Sequence, residues 1–428
     1  MEGAESTHLV AHLVLQVALI LVAAKLGAEL FERVLHQPAV LGELLAGVVI
    51  GPYALGGINL PLLGRLFAPA VGPAGIAAIP VSNELWALAQ LGAVILLFYT
   101  GLETDFGLFV RYGSRAFVIA MGGLIVPFAL GDLATVWFGL APHPLAPVAL
   151  FVGTILAATS VGITARVLGD IRKLATPEGV SVLAAAVIDD VLGIVLLAIV
   201  VGMGQGGGTS PGALAVIAAK AFGFWLVLLA VSVALSGWLT RVLLAFRSEG
   251  AALVLALALA FLAGVLAEGF GLAMIIGSYT MGLALSRTRL LEVIGEHVEA
   301  VHHFLVPIFF VVMGMLVNFG AMAPLLLFGV VVSVLAILGK VLGCGLPALA
   351  VGFNTLGATR IGLGMLPRGE VALIVAGVGI SQGVIGPDIF GVSVLMTLVT
   401  TVLAPMALVP AFSRGGPGLR APSTKAGR

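Results

Sequence analysis

Ala184-Ala185-Ala186-Val187-Ile188-Asp189-Asp190-Val191-Leu192-Gly193-Ile194-Val195 is an apolar run with two adjacent carboxylates at its middle. A helix that is apolar all round belongs inside a large core or a membrane. Two charges in such a helix need a partner or a task. The run sits in a longer apolar window, 178–203, and about 20 such residues are enough to cross a hydrocarbon core about 30 Å thick. Moving outward in both directions, the same window recurs. About thirteen candidate spans fall near 8–32, 38–56, 83–102, 113–138, 146–168, 178–203, 213–244, 250–268, 271–286, 297–317, 321–352, 356–382 and 388–412. The fold class this predicts is an all-α polytopic membrane protein.

Composition agrees. Of the 428 residues 61% are hydrophobic and only 9% charged, against about 25% charged in ordinary soluble domains. Twenty basic and twenty acidic residues cancel, and no basic run is clustered, so nucleic acid is excluded as a partner. Membrane lipid is the expected surrounding. The single cysteine, Cys344, cannot form an intrachain disulfide and reads as a small core residue. The start, Met1-Glu2-Gly3-Ala4-Glu5, lacks the positive region of a signal peptide, so the first span is expected to be retained.

Orientation follows from the basic residues. Alternate connections hold Lys25, Arg33, Arg111, Arg115, Arg166, Arg172, Lys173, Arg241, Arg247, Arg287, Arg289 and Arg360, while the other set holds little beyond Arg65 and Lys220. Basic loops stay in the cytoplasm. The expected topology in the cell (inner) membrane therefore has the N-terminus outside and the C-terminus in the cytoplasm. The tail from Ser413 to Arg428 reads as a short disordered end, with no soluble regulatory domain.

An odd number of spans permits two inverted six-helix repeats joined by a linker helix. The fifth window of the first half carries Ala157-Ala158-Thr159-Ser160-Val161-Gly162-Ile163-Thr164, and its counterpart carries Gly362-Leu363-Gly364-Met365-Leu366-Pro367-Arg368-Gly369-Glu370. Glycine, proline and hydroxyl residues at mid-membrane loosen the helix ladder. Backbone freed in this way is tolerated only inside protein or along a cavity. Two discontinuous helices at matched positions are the best sequence pointer to a midplane ion site.

Few ionisable residues lie deep, and each costs about 2.5–17 kcal/mol at the bilayer centre. Asp189 and Asp190 are the first candidates. Successive helical residues point about 100° apart, so one can hold an ion while the other pairs elsewhere. Lys340, in Ala336-Ile337-Leu338-Gly339-Lys340-Val341-Leu342-Gly343, is too deep to reach water with its stem. It reads either as a proton carrier or as half of a structural ion pair. Thr159 and Ser160 supply hard oxygen donors suited to sodium or lithium, with hydroxyls bonded back to their own helix as the plain alternative. Nothing resembles a transition-metal site. Arg368 and Glu370 flank the second break and can neutralise each other or the half-helix ends. Glu296, His297, Glu299, His302 and His303 crowd the start of the tenth window as a candidate pH-sensing cluster, against which stands a solvated interfacial one. Glu43 is read as an acid suited to a helix N-terminus.

Ala158-Thr159-Ser160-Val161-Gly162-Ile163-Thr164-Ala165-Arg166-Val167-Leu168, Val187-Ile188-Asp189-Asp190-Val191-Leu192-Gly193, Ile337-Leu338-Gly339-Lys340-Val341-Leu342-Gly343 and Met365-Leu366-Pro367-Arg368-Gly369-Glu370-Val371 together resemble the monovalent cation/proton antiporter superfamily, nearest to its NapA-type bacterial sodium/proton antiporters. The likeness runs in order through nearly the whole membrane region. It implies about 13 helices arranged as a dimerisation domain and an elevator-like core, in a homodimer. On that likeness, 1–102 begins the dimerisation domain and leads into the core, 103–206 is core and 207–249 is the linker helix. Dimerisation elements return in 250–320, core in 321–412, and 413–428 is the tail. The resemblance implies Asp190 as the principal cation carboxylate, Asp189 as its neighbour and the partner of Lys340, and Thr159 and Ser160 in the unwound helix. Paired aspartates resemble the electrogenic type.

The function expected is sodium (or lithium) for proton exchange serving pH homeostasis, without enzyme chemistry and without a cofactor. Two other transport readings stay open: a potassium/proton efflux system or cation channel of the Kef type, and a sodium-coupled organic anion symporter. A membrane sensor is a third, which leaves the midplane charges unexplained. The proline- and glycine-rich stretch between Gly57 and Ser82 is longer than the family pattern suggests.

Overall fold

A computed structural model describes residues 2–35, 39–60, 64–68, 71–72, 75–76, 80–144, 146–204, 211–270, 272–318 and 325–420. The chain is helical nearly throughout, and ten of its described helical segments are long and apolar enough to cross a membrane. The α-helices among the described residues, long and short, are in order α1 (Glu2–Arg33), α2 (Ala39–Ile50), α3 (Asn83–Glu103), α4 (Phe106–Trp137), α5 (Pro147–Ala157), α6 (Val161–Asp170), α7 (Pro177–Gly204), α8 (Pro211–Ala245), α9 (Ala251–Gly269), α10 (Met274–Leu285), α11 (Leu290–Met315), α12 (Leu326–Ala350), α13 (Thr355–Gly364), α14 (Glu370–Ser381) and α15 (Pro387–Ser413). The long stretch after α2 forms a short turn, Leu55–Gly57, and two antiparallel two-residue pairs, Asn59–Leu60 with Gly64–Arg65 and Val71–Gly72 with Gly75–Ile76.

Both expected interruptions are real. Ala158 and Ser160 are extended between α5 and α6, and Met365–Gly369 separates α13 from α14. Pro367 contributes directly, because it has no N–H for the ladder and disfavours helix in the residue before it. By contrast α7 runs unbroken through both aspartates. Two helices begin earlier than hydropathy indicated. Asp105 caps α4 by accepting from the Leu108 N–H at 3.0 Å, and α11 carries polar turns before its apolar part.

The closest packing arranges the helices in two sets. In one, α4 lies against α5, α7 and α12. In the other, α3 lies against α10 and α11, and α2 against α1 and α11. Half-helix α6 leans on α3 and α2, so it bridges the two. The backbones of α4 and α12 touch: a Cβ on Gly122 would strike the Gly343 carbonyl, and one on Gly339 would stand 3.0 Å from Pro127. Small residues permit this approach where no hydrophobic force drives helices together.

Two expectations are corrected here. The tail is not a free end over its described part: Gly415, Gly416, Pro417, Gly418 and Leu419 all accept hydrogen bonds from α13 or its cap. Residues 421–428 lie outside the described residues. Arg166 and Arg360, counted above among loop charges, are 8% and 4% exposed and lie within the bundle, each paired with a carboxylate.

Candidate ion-binding site

The deep charges meet. Lys340 Nζ on α12 donates to both carboxylate oxygens of Asp189 on α7, at 3.0 and 3.2 Å, and both side chains are closed to solvent. The glycine seam between α4 and α12 makes room for the ammonium group. A Cβ on Gly123 would stand 3.5 Å from Nζ and would strike the sulfur of Cys344. Cys344, one turn beyond Lys340, is accordingly a small packing residue. Asp190 is buried in the same turn of α7. The helix that carries both aspartates, α7, packs on α5, α6, α13 and α14, the four half-helices that flank the two breaks.

At the crossing the two breaks hold each other. The Ser160 N–H donates to the Pro367 carbonyl at 2.9 Å, and the Thr164 hydroxyl donates to the Gly364 carbonyl at 2.6 Å. Arg368 is fully buried. Its guanidinium donates to the carbonyls of Leu156 at 2.7 Å and Leu366 at 3.0 Å, with longer contacts of 3.4 Å to Met365 and Ala336. The carbonyls of Leu156, Met365 and Leu366 lie at the C-terminal ends of α5 and α13, where a helix concentrates partial negative charge. A single guanidinium therefore serves the negative ends of two half-helices. Its own carbonyl accepts from the Thr401 hydroxyl on α15 at 2.5 Å. Thr159 is buried, and its hydroxyl makes no hydrogen bond among the described residues. The Glu370 side chain lies outside the described residues. The expected pairing of Glu370 with Arg368 therefore falls outside them too.

The histidine cluster divides. Glu299, His302 and His303 line a cavity of about 240 Å³ with Tyr99, Thr100 and Glu103 of α3 and with Arg166, Asp170 and Arg172. Glu296 and His297 stand exposed on α11 and do not line it. His302 is buried rather than solvated, its ring 5.0 Å from that of Tyr99. Along the cavity wall Arg166 binds Asp170 at 3.1 Å and approaches Glu43 at 3.9 Å. Glu43 is wholly buried, so its charge answers Arg166 rather than a solvent-facing helix N-terminus.

Sequence reasoning did not single out Gly123, Gly369, Thr401, Arg166 or Arg360. A Cβ on Gly369 would lie 2.7 Å from the Ser160 hydroxyl. Arg166 and Asp170, four apart on one helix, carried a legible signal, whereas the glycines show their use only when a second backbone arrives.

Comparison with known proteins gives a consistent result. The family model described as "Sodium/hydrogen exchanger, transmembrane" matches residues 17–414. The chain is similar to the Na(+)/H(+)-K(+) antiporter GerN of Bacillus cereus, at 34% identity over 412 residues, covering 95% of this chain and 98% of GerN. It is also similar to the high-affinity Na(+)/H(+) antiporter NhaS3 of Synechocystis sp., at 33% identity, covering 94% and 90% of the two chains. Among solved structures, the sodium proton antiporter MjNhaP1 of Methanocaldococcus jannaschii matches with a TM-score of 0.68 at 20% identity, covering 95% of this chain and 99% of that one. That last likeness concerns the fold.

Proposed function

Because the chain belongs to the sodium/hydrogen exchanger family of membrane transporters, we propose that it exchanges sodium or lithium for protons, electrogenically, through a site at Asp190. The observation that carries this reading is the buried Asp189–Lys340 pair beside Asp190, packed on two interrupted helices. Relatives named as sodium/proton antiporters over nearly their full length support it, and they do not favour the Kef-type reading.

The physics is competition. A sodium ion needs ionised carboxylate oxygens, and a proton occupies the same oxygens. In this reading Asp190 supplies the charge, and oxygens of Thr159 and Ser160 are assigned as the neutral donors. Arg368 and Glu370 stand behind the crossing, the arginine holding the carbonyl ends in place. Sodium at Asp190 draws Asp189 off Lys340, and the lysine, left buried without its anion, releases its proton. Two protons then balance one sodium, and each cycle moves one net charge.

The reading extends to the assembly. About thirteen crossings in two inverted repeats, an N-terminus outside and a cytoplasmic C-terminus are the arrangement supported by the basic residues and by the paired breaks. The set built on α4 moves as an elevator past the set built on α3, α10 and α11, and a homodimer holds the latter still. Potassium is an alternative cargo that the name of one relative suggests.

The test is purified protein in liposomes with an imposed pH gradient, following proton flux as sodium, lithium or potassium is added, with the membrane potential free or clamped. Sodium- and lithium-driven flux that moves net charge and is lost in Asp190→Asn is expected. Flux that is potassium-selective, or independent of any cation, overturns the reading.

A further inference from the structure

After α15 the chain turns back over the starts of α7 and α13. Arg360, on α13, is the anchor. Its Nη1 donates to Glu178 Oε1 at 2.7 Å and to the Gly416 carbonyl at 2.9 Å, Nη2 to the Gly415 carbonyl at 2.8 Å, and Nε to the Ala411 carbonyl at 3.1 Å. The guanidinium also lies 4.8 Å from the centre of the Phe412 ring. Asn354 completes the attachment. Its Oδ1 caps α13 by accepting from the Gly357 N–H, while its Nδ2 donates to the Pro417 carbonyl at 2.7 Å. The Asn354 N–H donates to the Gly418 carbonyl, and the Arg420 N–H to the Gly352 carbonyl. Gly418 is pressed so closely between Gly357 and Glu178 that a Cβ would overlap the Glu178 carboxylate.

We infer that Arg360, Glu178 and the strap Arg414–Arg420 are positioning elements for the exchange reaction, fixing the axial register of α7 against α13. Glu178 and Asp189 are eleven residues apart on α7, which returns to nearly the same face after about three turns. One turn beyond Glu178, Val182 meets Gly364, where a Cβ would lie 2.9 Å from the valine, and Gly364 is one turn beyond Arg360. Two contacts at matched spacing thus lock the helices, the ion pair at the end and a glycine notch toward the middle. From the notch the Gly364 carbonyl reaches Thr164, just past the Thr159–Ser160 break. A slip of one turn would shift Asp189 by about 5.4 Å against the crossing. Fixing register is the best-attested use of a buried charged group.

The inference rests on the reading that Asp189 and Asp190 hold the exchanged cation, so Asp190→Asn is the control. Sodium KM and maximal rate are measured in liposomes for Arg360→Lys, Glu178→Gln, Gly418→Ala and a chain ending at Ser413. Arg360→Lys keeps the charge and loses the fork. Sodium KM raised at least about tenfold in variants that assemble normally is the expected result, since displacements near 1 Å can cost far more. A purely structural strap would lower yield and melting temperature and leave the KM of the surviving protein unchanged, which overturns the inference. Where the truncated chain does not assemble, Arg360→Lys and Gly418→Ala decide on the same criterion. If Asp190→Asn retains exchange, the cation site lies elsewhere and the inference falls with it. If Asp190→Asn is inactive while the strap variants keep the wild-type KM, the strap alone fails.

Discussion

Gly369 and Ser160, on different broken helices, approach so closely that a methyl group on the glycine would lie 2.7 Å from the serine hydroxyl. The neighbouring Ser160 N–H to Pro367 carbonyl bond shows that the contact is the crossing itself. Gly369→Ala should therefore spread the two breaks and weaken cation binding with little effect on membrane insertion. A rise in sodium KM of about tenfold is expected. An unchanged KM in correctly assembled Gly369→Ala protein would show that the cation does not touch the crossing.

Lys340 and Asp189 are both shut away from solvent. Removing one member of a buried pair leaves an uncompensated charge and costs about 3–5 kcal/mol, while replacing both with apolar groups of similar volume costs far less. Lys340→Met alone should lower the melting temperature sharply, and Lys340→Met with Asp189→Leu should recover most of the loss. Thermal unfolding in detergent measures both. Equal losses in the single and double variants would mean the pair is not energetically coupled.

On the mechanism proposed above, the same pair sets the pH dependence. Protons occupy the carboxylate that sodium needs, so sodium KM must rise as pH falls through the titration of the site. Linkage makes the steepness a count of the protons displaced. With Asp190 and Lys340 both exchanging protons, KM should change by about a hundredfold per pH unit on the acid limb, and in Lys340→Gln by about tenfold. A wild-type slope of one proton, or a Lys340→Gln variant with charge movement and stoichiometry unchanged, would remove the lysine from the mechanism.

Arg368 binds the carbonyl ends of α5 and α13 at once, and Thr401 holds its backbone. Lysine offers a point charge where a planar fork is needed. Arg368→Lys should lose most of the exchange rate, whereas Thr401→Val should cost about 1–3 kcal/mol by leaving a buried carbonyl without a donor. Flux and melting curves on the two variants separate these roles. Arg368→Lys with full activity would contradict the half-helix assignment.

The broad fold and the central charges were legible because each violates its surroundings. Asp189, Asp190 and Lys340 interrupt apolar runs, and Pro367 cannot donate to a helix ladder. What stayed hidden are features that exist only between segments. Gly123 and Gly369 look like any membrane glycine until a second helix lies against them. The strap escaped for a different reason. Gly415-Gly416-Pro417-Gly418 has the composition of a free end, but the structure uses its carbonyls, which every sequence possesses. Arg166 was counted as a loop charge although Asp170 stands four residues on; its second carboxylate, Glu43, lies on a distant helix and could not be paired with it from sequence.

That partnership has a consequence of its own. Glu43 belongs to α2, in the set packed on α11, and Arg166 to α6, which continues from the first break. Glu43 is wholly buried, and neither of its oxygens has a hydrogen bond among the described residues, so the arginine 3.9 Å away is the cation that answers its charge. Removing the arginine should strand both that carboxylate and Asp170, which it binds at 3.1 Å, at a cost of about 3–5 kcal/mol, and Glu43→Gln in the same chain should restore part of it. If α6 also slides past α2 during exchange, the pair holds only one end of the stroke. Glu43→Gln would then change the accessibility of cysteines placed on α6 to reagents added from one side, with the maximal rate altered more than the equilibrium melting. Unchanged accessibility together with an unchanged rate would make Glu43 and Arg166 a static brace.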